Sequence, residues 1–208
     1  MKIISINVGC PTEQTYFNKK VMTGGHKQTV PFALLRLENL EGDAQADLKN
    51  HGGEDKAVCV YSYDHYPYWQ TQLGVSLDGG AFSENLTVEG LRESDVCIGD
   101  IIRVGDALTQ ISQPRQPCSK LAGKFGRRDL PERIHDTGFS GFYLRVLSEG
   151  MVRQGDAFEL LTRHSGGVTV ELANQVMYYQ RDDAQSLKRV LGVDALSVAW
   201  RNTLSKRL

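Results

Sequence analysis

Three glycine–aspartate pairs, each followed by an apolar alternation, place the strongest constraint on the fold of this chain. They are Gly99-Asp100, Gly105-Asp106 and Gly155-Asp156. Glycine supplies backbone freedom and aspartate hydrogen-bonds its own turn, so such pairs are typical of tight turns before a strand. Short strands separated by turns at this spacing indicate a mostly antiparallel barrel or sandwich.

The rest of the body also reads mainly as strands, with a few helical segments. Apolar runs and alternation predict strands at 1–8, 31–37, 57–61, 82–88, 100–104, 106–112, 142–147, 151–153 and 157–161. Apolar residues at helical spacing predict helices at 63–72, 119–125 and 130–136. The segment from 10 to 29 is polar and contains glycine, and no strand is predicted there. The predicted fold class is therefore mostly β with α additions.

The character of the chain changes at about residue 163. Apolar spacing predicts three helices at 169–179, 184–191 and 196–206, preceded by the linker His164-Ser165-Gly166-Gly167. We therefore divide the chain into a body, 1–163, and a three-helix domain, 164–208. Two of these helices resemble a helix–turn–helix pair, but they lack a basic recognition face. Packing or oligomerisation is favoured over DNA binding.

The charge balance argues against several classes of partner. Lysine plus arginine number 24 and aspartate plus glutamate 25, giving a formal net charge of −1. This disfavours general nucleic-acid or membrane-surface binding, although a local basic pocket remains compatible with it. No apolar run approaches the roughly 20 residues of a membrane span, and residues 1–8 are too short and too alternating for a signal peptide. We expect a cytoplasmic protein.

Four cysteines are scattered through the chain without a CxxC pair, so neither a zinc site nor a disulfide framework is predicted. Cys118 differs from the others because Arg115 and Lys120 flank it on a proline-stiffened turn. Nearby cations favour the thiolate, which attacks electrophiles and binds metals. A small apolar residue at a strand end is the competing interpretation. Cys59 and Cys97 lie in apolar, strand-like runs and are predicted to be core residues, whereas Cys10 lies in a turn.

Two further polar motifs carry weaker signals. The run His51-Gly52-Gly53-Glu54-Asp55-Lys56 combines close backbone approach with a histidine and a lysine, which suits an anion such as a phosphate. The run Ser83-Glu84-Asn85 places polar groups at the mouth of a strand. Each motif alone also fits an ordinary turn or turn cap.

Taken in order, these segments resemble the MOSC domain, named after the C-terminal domain of molybdenum cofactor sulfurases. The resemblance is carried by His51-Gly52-Gly53-x-Asp55-Lys56-Ala57-Val58, Tyr61 with Asp64-His65-Tyr66, Phe82-Ser83-Glu84-Asn85-Leu86, Gly99-Asp100 and Gln113-Pro114-Arg115-x-Pro117-Cys118-x-Lys120-Leu121. Within the family, the chain is similar to the small YiiM-type members, which end in a three-helix extension. The resemblance covers nearly the whole chain and implies a β-barrel-like domain followed by a small three-helix bundle.

The resemblance also implies a molybdenum cofactor, in which molybdenum is held by a pterin dithiolene (molybdopterin) that bears a phosphate. The protein ligand to molybdenum maps onto Cys118, in agreement with the thiolate expected there. A cationic pocket around the cofactor would be formed by Lys27, His51, Lys56 and Arg115, with backbone N–H groups of Gly52 and Gly53. Ser83, Glu84 and Asn85 resemble the family segment on the metal side of the pocket.

The activity implied by the resemblance is reduction of N-hydroxylated compounds, such as 6-N-hydroxylaminopurine, to amines, which would serve detoxification. The chain has no GxGxxG unit, so electrons are expected from a separate NAD(P)H-dependent flavoprotein. The other functions considered are a non-catalytic cofactor carrier, a sulfur-transfer protein with a persulfide on Cys118, and a cysteine hydrolase that needs a histidine base. The oligomeric state is left open, with a homodimer as one option.

Overall fold

The computed structural model describes residues 1–208, except for the side chains of Lys49 and Asn50. The strands are β1 (Lys2–Val8), β2 (Thr12–Tyr16), β3 (Lys19–Thr23), β4 (Gln28–Val30), β5 (Phe32–Leu35), β6 (Val58–Ser62), β7 (Leu86–Glu89), β8 (Ile101–Val104), β9 (Ala107–Pro114), β10 (Phe142–Ser148), β11 (Gly150–Arg153) and β12 (Phe158–Thr162). The helices are α1 (Leu48–His51), α2 (Tyr66–Leu73), α3 (Ser119–Phe125), α4 (Leu130–Thr137), α5 (Val170–Tyr178), α6 (Ala184–Leu191) and α7 (Val198–Leu204). Short 3-10 turns occur at Glu54–Lys56, Tyr63–His65 and Ser205–Arg207.

The main sheet closes on itself as a barrel. Its strand order is β12-β8-β9-β10-β6-β7-β1-β4, and β6 pairs with β7 in parallel. The first residues of β1 close the ring against the residues at the start of β12, because Ile3 N–H donates to Asp156 O at 3.0 Å and Phe158 N–H donates to Met1 O at 3.1 Å. Two small sheets, β11-β5 and β2-β3, are added to this body. The predicted mostly β fold with helical additions is confirmed.

Two differences from the sequence prediction lie near the pocket described below. Residues 10–29, without a strand prediction, contain the β2–β3 hairpin and the start of β4. The hairpin forms a separate two-stranded sheet whose residues are mostly exposed, so it carries no apolar alternation. In addition, β7 begins at Leu86 rather than at residue 82, because Ser83 adopts a left-handed φ of 64° that a strand cannot contain.

Strand β6 is buried on both faces, which places it between the barrel core and a second apolar cluster. Val58 and Val60 belong to the barrel core, whereas Tyr61 belongs to the second cluster with Trp69 and Phe82. Successive side chains of a strand point to opposite faces, so Cys59 lies on the face opposite Val58 and Val60. Cys59 is buried, as predicted, but its side chain lies in the wall of a pocket.

The three C-terminal helices pack directly on the barrel. Val170, Ala173 and Val176 of α5 belong to the same apolar cluster as the barrel residues Ile98 and Ile111. Backbone hydrogen bonds also cross the boundary, with Ile98 N–H donating to Val168 O at 2.9 Å. Buried apolar residues of α6 and α7 belong to the same cluster, so the apolar faces of all three helices are buried.

No helix among the described residues is long and apolar enough to cross a membrane.

Candidate functional site

A single pocket collects residues from segments far apart in the sequence. Its walls come from the β2–β3 hairpin and the residues after it, from the loop at 43–47, from the region 51–59, from 83–85, and from 115–124 with Tyr143. Seven of the eight predicted site residues line it: Lys27, His51, Lys56, Ser83, Asn85, Arg115 and Cys118. The eighth, Glu84, is fully buried and is not among the lining residues.

Cys118 occupies the N-cap position of α3, after the extended turn that follows β9. Burial by itself would raise the pKa of the Cys118 thiol. The hydrogen bond with His51 and that from the Leu121 N–H, together with the charges of His51 and Arg115, more than offset burial and lower this pKa to about 7. At neutral pH a large fraction of Cys118 is therefore thiolate, the form that binds soft metals.

Arg115 forms a fixed cationic part of the pocket wall. Its side chain is buried, and Nη2 donates to Phe82 O at 2.6 Å. Burial disfavours the charged form, but the surrounding Cys59, Tyr143 and Cys118 side chains more than offset this and raise the Arg115 pKa. The guanidinium therefore remains charged next to Cys118. Lys120, the other predicted flanking cation, also lines the pocket.

Lys27 is held by a buried ion pair with Asp43. Lys27 Nζ lies 2.5 Å from Asp43 Oδ1, and the two side chains are 7% and 1% exposed. Asp43 also accepts hydrogen bonds from the Gly9 N–H at 2.8 Å and from Asn85 Nδ2 at 2.9 Å. Asn85 in turn accepts from the Cys59 N–H at 3.0 Å. This network fixes the Lys27 and Asn85 side chains and ties the loop at Asp43 to β6.

The segment at Gly24 and Gly25 approaches the opposite wall closely. Ser83 Oγ donates to Gly25 O at 2.8 Å from a left-handed backbone conformation, which is uncommon for a residue other than glycine. A Cβ atom on Gly24 would collide with Ala44 O, so glycine is required at that position. Backbone held in such conformations often lies at binding sites.

Glu84 lies behind the pocket wall rather than in it. One carboxylate oxygen accepts hydrogen bonds from the Tyr66 hydroxyl, from the Thr87 hydroxyl at 2.7 Å and from the Gly80 N–H at 3.1 Å. The other oxygen has no partner among the described residues. Glu84 thus organises the turn that carries Ser83 and Asn85, and its predicted place on the pocket surface is not observed.

Sequence reasoning missed several pocket residues, namely Tyr16, Asp43, Tyr143 and Lys124. Tyr143 lies in β10, where it is paired with Cys59 of β6, and burial raises its pKa. Lys124 lies on the same helix as Lys120. The apolar spacing of this segment predicts a helix but does not indicate that Lys124 borders a pocket. Tyr16 lies in a polar segment without a recognisable motif, and Asp43 follows Gly42 in an ordinary turn pair, so no local signal marks either of them as a pocket residue.

The residues present fit a cofactor that brings most of its own metal ligands and carries a negative charge. Among the described residues there is no group of three or more His, Cys, Asp or Glu side chains that could hold a metal ion. Cys118 provides one soft ligand, and Lys27, Lys56, Arg115 and Lys124 surround it with positive charge. Such a donor set suits a metal held mainly by a bound anionic organic molecule.

Comparison with known proteins identifies the family. The family model described as the MOSC domain matches residues 47–159, which is more than half of the chain. The chain belongs to the MOSC domain family. A second model, described as the YiiM-like 3-alpha helix domain, matches residues 168–208.

Relatives of this MOSC domain protein support the same grouping over its full length. The Bacillus subtilis protein YflK, described as uncharacterized, is 48% identical over 206 residues, covering 99% of this chain and 93% of YflK. The crystal structure of YiiM from Geobacillus stearothermophilus superposes with a TM-score of 0.85 at 42% identity, covering 100% of this chain and 98% of that one. A Gibberella moniliformis protein named reductase is 40% identical over 126 residues, covering 59% of this chain and 22% of that protein.

Proposed function

We propose that this protein is a molybdenum-cofactor-dependent reductase that converts N-hydroxylated compounds, such as 6-N-hydroxylaminopurine-like bases, to amines, with electrons from a separate NAD(P)H-dependent flavoprotein. The observation that carries the proposal is the Cys118 thiol, whose pKa is about 7, in a pocket lined by cations. Membership of the MOSC family and the relative named reductase support an oxidoreductase.

Each group of pocket residues has a role in this proposal. Cys118 Sγ would be the protein ligand to molybdenum, and the cofactor would supply two-electron redox chemistry at the metal. Lys27, Lys56 and Arg115 would bind the anionic groups of the cofactor. The Lys27–Asp43 pair and the Arg115–Phe82 hydrogen bond hold two of these cations in place before any ligand binds, so little side-chain entropy is lost on binding.

Elemental analysis for molybdenum tests the proposal most directly. Wild type, Cys118→Ser and, as a matched control, Cys10→Ser should be purified from a host that makes the cofactor. We expect near one molybdenum per chain in wild type and in Cys10→Ser, because Cys10 is exposed and is not among the pocket-lining residues. Cys118→Ser should retain the fold but lose both the metal and the reduction of 6-N-hydroxylaminopurine. A Cys118→Ser protein that kept both would refute the assignment.

The same experiment separates the alternatives. Molybdenum bound through Cys118, without turnover when a reduced flavoprotein is supplied, would favour a cofactor carrier. A sulfurated Cys118 without stoichiometric molybdenum would favour sulfur transfer.

One observation favours a second candidate, a cysteine hydrolase. Cys118 lies at the N-terminus of α3 and interacts with His51, which is the pairing that activates a thiol nucleophile. This function needs no metal. Hydrolysis of thioester or amide substrates by molybdenum-free protein, lost in both Cys118→Ser and His51→Gln, would support it over the reductase.

A further inference from the structure

Lys124 is anchored in an unusual way beside the pocket. It lies on α3, six residues after Cys118, and its Nζ donates to Gly25 O at 3.0 Å and to Gly80 O at 3.1 Å. These carbonyl groups belong to two separate loops, so the ammonium group bridges them. The Lys124 side chain lines the pocket as well.

The hydrogen bonds of Lys124 use only two of the three N–H donors of its ammonium group. A protonated lysine carries three N–H donors, and the two carbonyl groups use two of them. No third protein acceptor bonds to Lys124 Nζ among the described residues. Because Nζ is fixed by two bonds and the side chain borders the pocket, the remaining N–H is available to a ligand there.

The electrostatic surroundings of Lys124 make its proton removable near neutral pH. Burial lowers the Lys124 pKa, the charge of Glu84 opposes this effect, and the charges of Arg115 and Lys27 add to it, so that the pKa falls to about 8. The other charged or titratable groups near it are Lys120, one helical turn earlier on α3, and His26 and Asp78, which line a second groove that Lys124 also borders.

Resting on the function proposed above, we propose that Lys124 donates the proton that accompanies departure of the N-bound oxygen. The overall reaction is R–NH–OH + 2 e⁻ + 2 H⁺ → R–NH₂ + H₂O. The N–O bond breaks, the oxygen leaves as water and the nitrogen gains a hydrogen. The electron pair comes from the reduced flavin of the partner protein. One proton passes from Lys124 Nζ to the departing oxygen, and the second reaches the substrate nitrogen from solvent. Solvent then reprotonates the neutral Lys124 side chain.

Other cations of the pocket are less suited to this step. The Arg115 pKa is raised, so its guanidinium does not release a proton at neutral pH. Lys27 is paired with Asp43 at 2.5 Å, and losing its proton would leave the buried carboxylate unpaired. Lys124 combines a fixed position, an unused donor and a pKa near the working pH, which are the properties required of a general acid.

Substitutions that separate charge from proton donation test this role. Lys124→Arg keeps the positive charge but not an acid that ionises near neutrality, and Lys124→Met removes both. We expect Lys124→Arg to contain as much molybdenum as wild type, but to lose about 10²–10⁴-fold in kcat, the usual contribution of a general acid. Wild-type kcat should fall above about pH 8, and this decline should be absent in Lys124→Arg. Lys188→Arg, an exposed substitution on α6, is the matched control.

A second measurement does not depend on turnover. Acetylation of Lys124 in cofactor-free protein, followed by mass spectrometry across pH, should be half-maximal near pH 8, where the amine becomes neutral. A midpoint above pH 10 would overturn the proposal.

The remaining outcomes also decide the matter. Lys124→Arg with kcat within threefold of wild type and an unchanged pH profile would overturn the proposal while leaving the reductase assignment intact. Loss of molybdenum from both Lys124 variants would assign Lys124 to cofactor binding and would also overturn it. Cofactor-loaded wild type that does not reduce N-hydroxylated compounds would overturn both proposals.

Discussion

The chemistry of Cys118 depends on one neighbour more than on its sequence context. The hydrogen bond with His51 is the largest of the effects that oppose burial and lower the Cys118 pKa. Arg115, three residues before it, contributes through its charge. The folded-state pKa of about 7 lies below that of a free thiol, so ionisation of Cys118 favours the folded state at alkaline pH. This contribution is lost as the pH falls from about 9 to about 7.

Alkylation of Cys118 checks this account. In cofactor-free wild type, the rate of reaction with iodoacetamide should be half-maximal near pH 7, because the thiolate is the reactive form. In His51→Gln the midpoint should move to higher pH, since both the hydrogen bond and the charge of His51 are lost. His164→Gln, which alters a histidine outside the pocket, is the control. An unchanged midpoint in His51→Gln would show that His51 does not activate the thiol.

At the residue scale, prediction from the sequence succeeded where the site residues share a local motif. Arg115 and Cys118 are close in the sequence, as are His51 and Lys56, and all four line the pocket. Asp43 could not be predicted, because its partners are 16 and 42 residues away along the chain.

The helices of the C-terminal unit each begin with a side-chain cap. Thr169 Oγ1 accepts from the Leu172 N–H at 3.0 Å, and Ser197 Oγ accepts from the Trp200 N–H at 3.3 Å. A cap satisfies a backbone donor that has no partner within the helix. These caps set where α5 and α7 begin, and the observed starts differ from the predicted ones by one or two residues.

Removal of one cap should cost a predictable amount of stability. We expect Thr169→Ala to lower the free energy of unfolding by about 1 kcal/mol, measured by urea denaturation. Thr203→Ala, an exposed substitution within α7, should change it by less than about 0.5 kcal/mol. Equal effects of the two substitutions would contradict a capping role for Thr169.

At the element scale, the turns before strands were the most reliable signal. The strands after Gly99-Asp100, Gly105-Asp106 and Gly155-Asp156 are β8, β9 and β12. The β2–β3 hairpin was missed although Tyr16 and Thr23 border the pocket. Its position is fixed by contacts with distant residues, such as the Tyr16 ring against Gly123, and a local pattern does not report such contacts.

The molecule as a whole behaves as one packed body rather than as a barrel with a loose tail. Asp55, in the turn next to Lys56, forms an ion pair with Arg145 of β10 and accepts from the Val198 N–H at 3.0 Å. One carboxylate therefore joins the pocket region, the barrel and the start of α7.

Truncation after residue 163 tests the extent of this coupling. We expect the shortened protein to lose its cooperative thermal transition and to bind a hydrophobic dye, because the barrel face under Val170, Ala173 and Val176 would be exposed. Differential scanning calorimetry on both lengths measures this directly. A truncated protein with a sharp transition close to that of the full chain would show that the body folds without the helices.

The seam at which Met1 and Ile3 bond to residues 155–158 also governs how the protein can reach its native state. The barrel cannot close until segments separated by about three-quarters of the chain meet. Contacts this distant carry a large loop-closure entropy, and chains dominated by them fold in milliseconds to seconds rather than microseconds. During synthesis, β4 can pair with residues 6–8 early, but the same edge of β1 stays unpaired at residues 1–3 until residue 158 has been made. This exposed edge is therefore a site at which the nascent chain can misassociate.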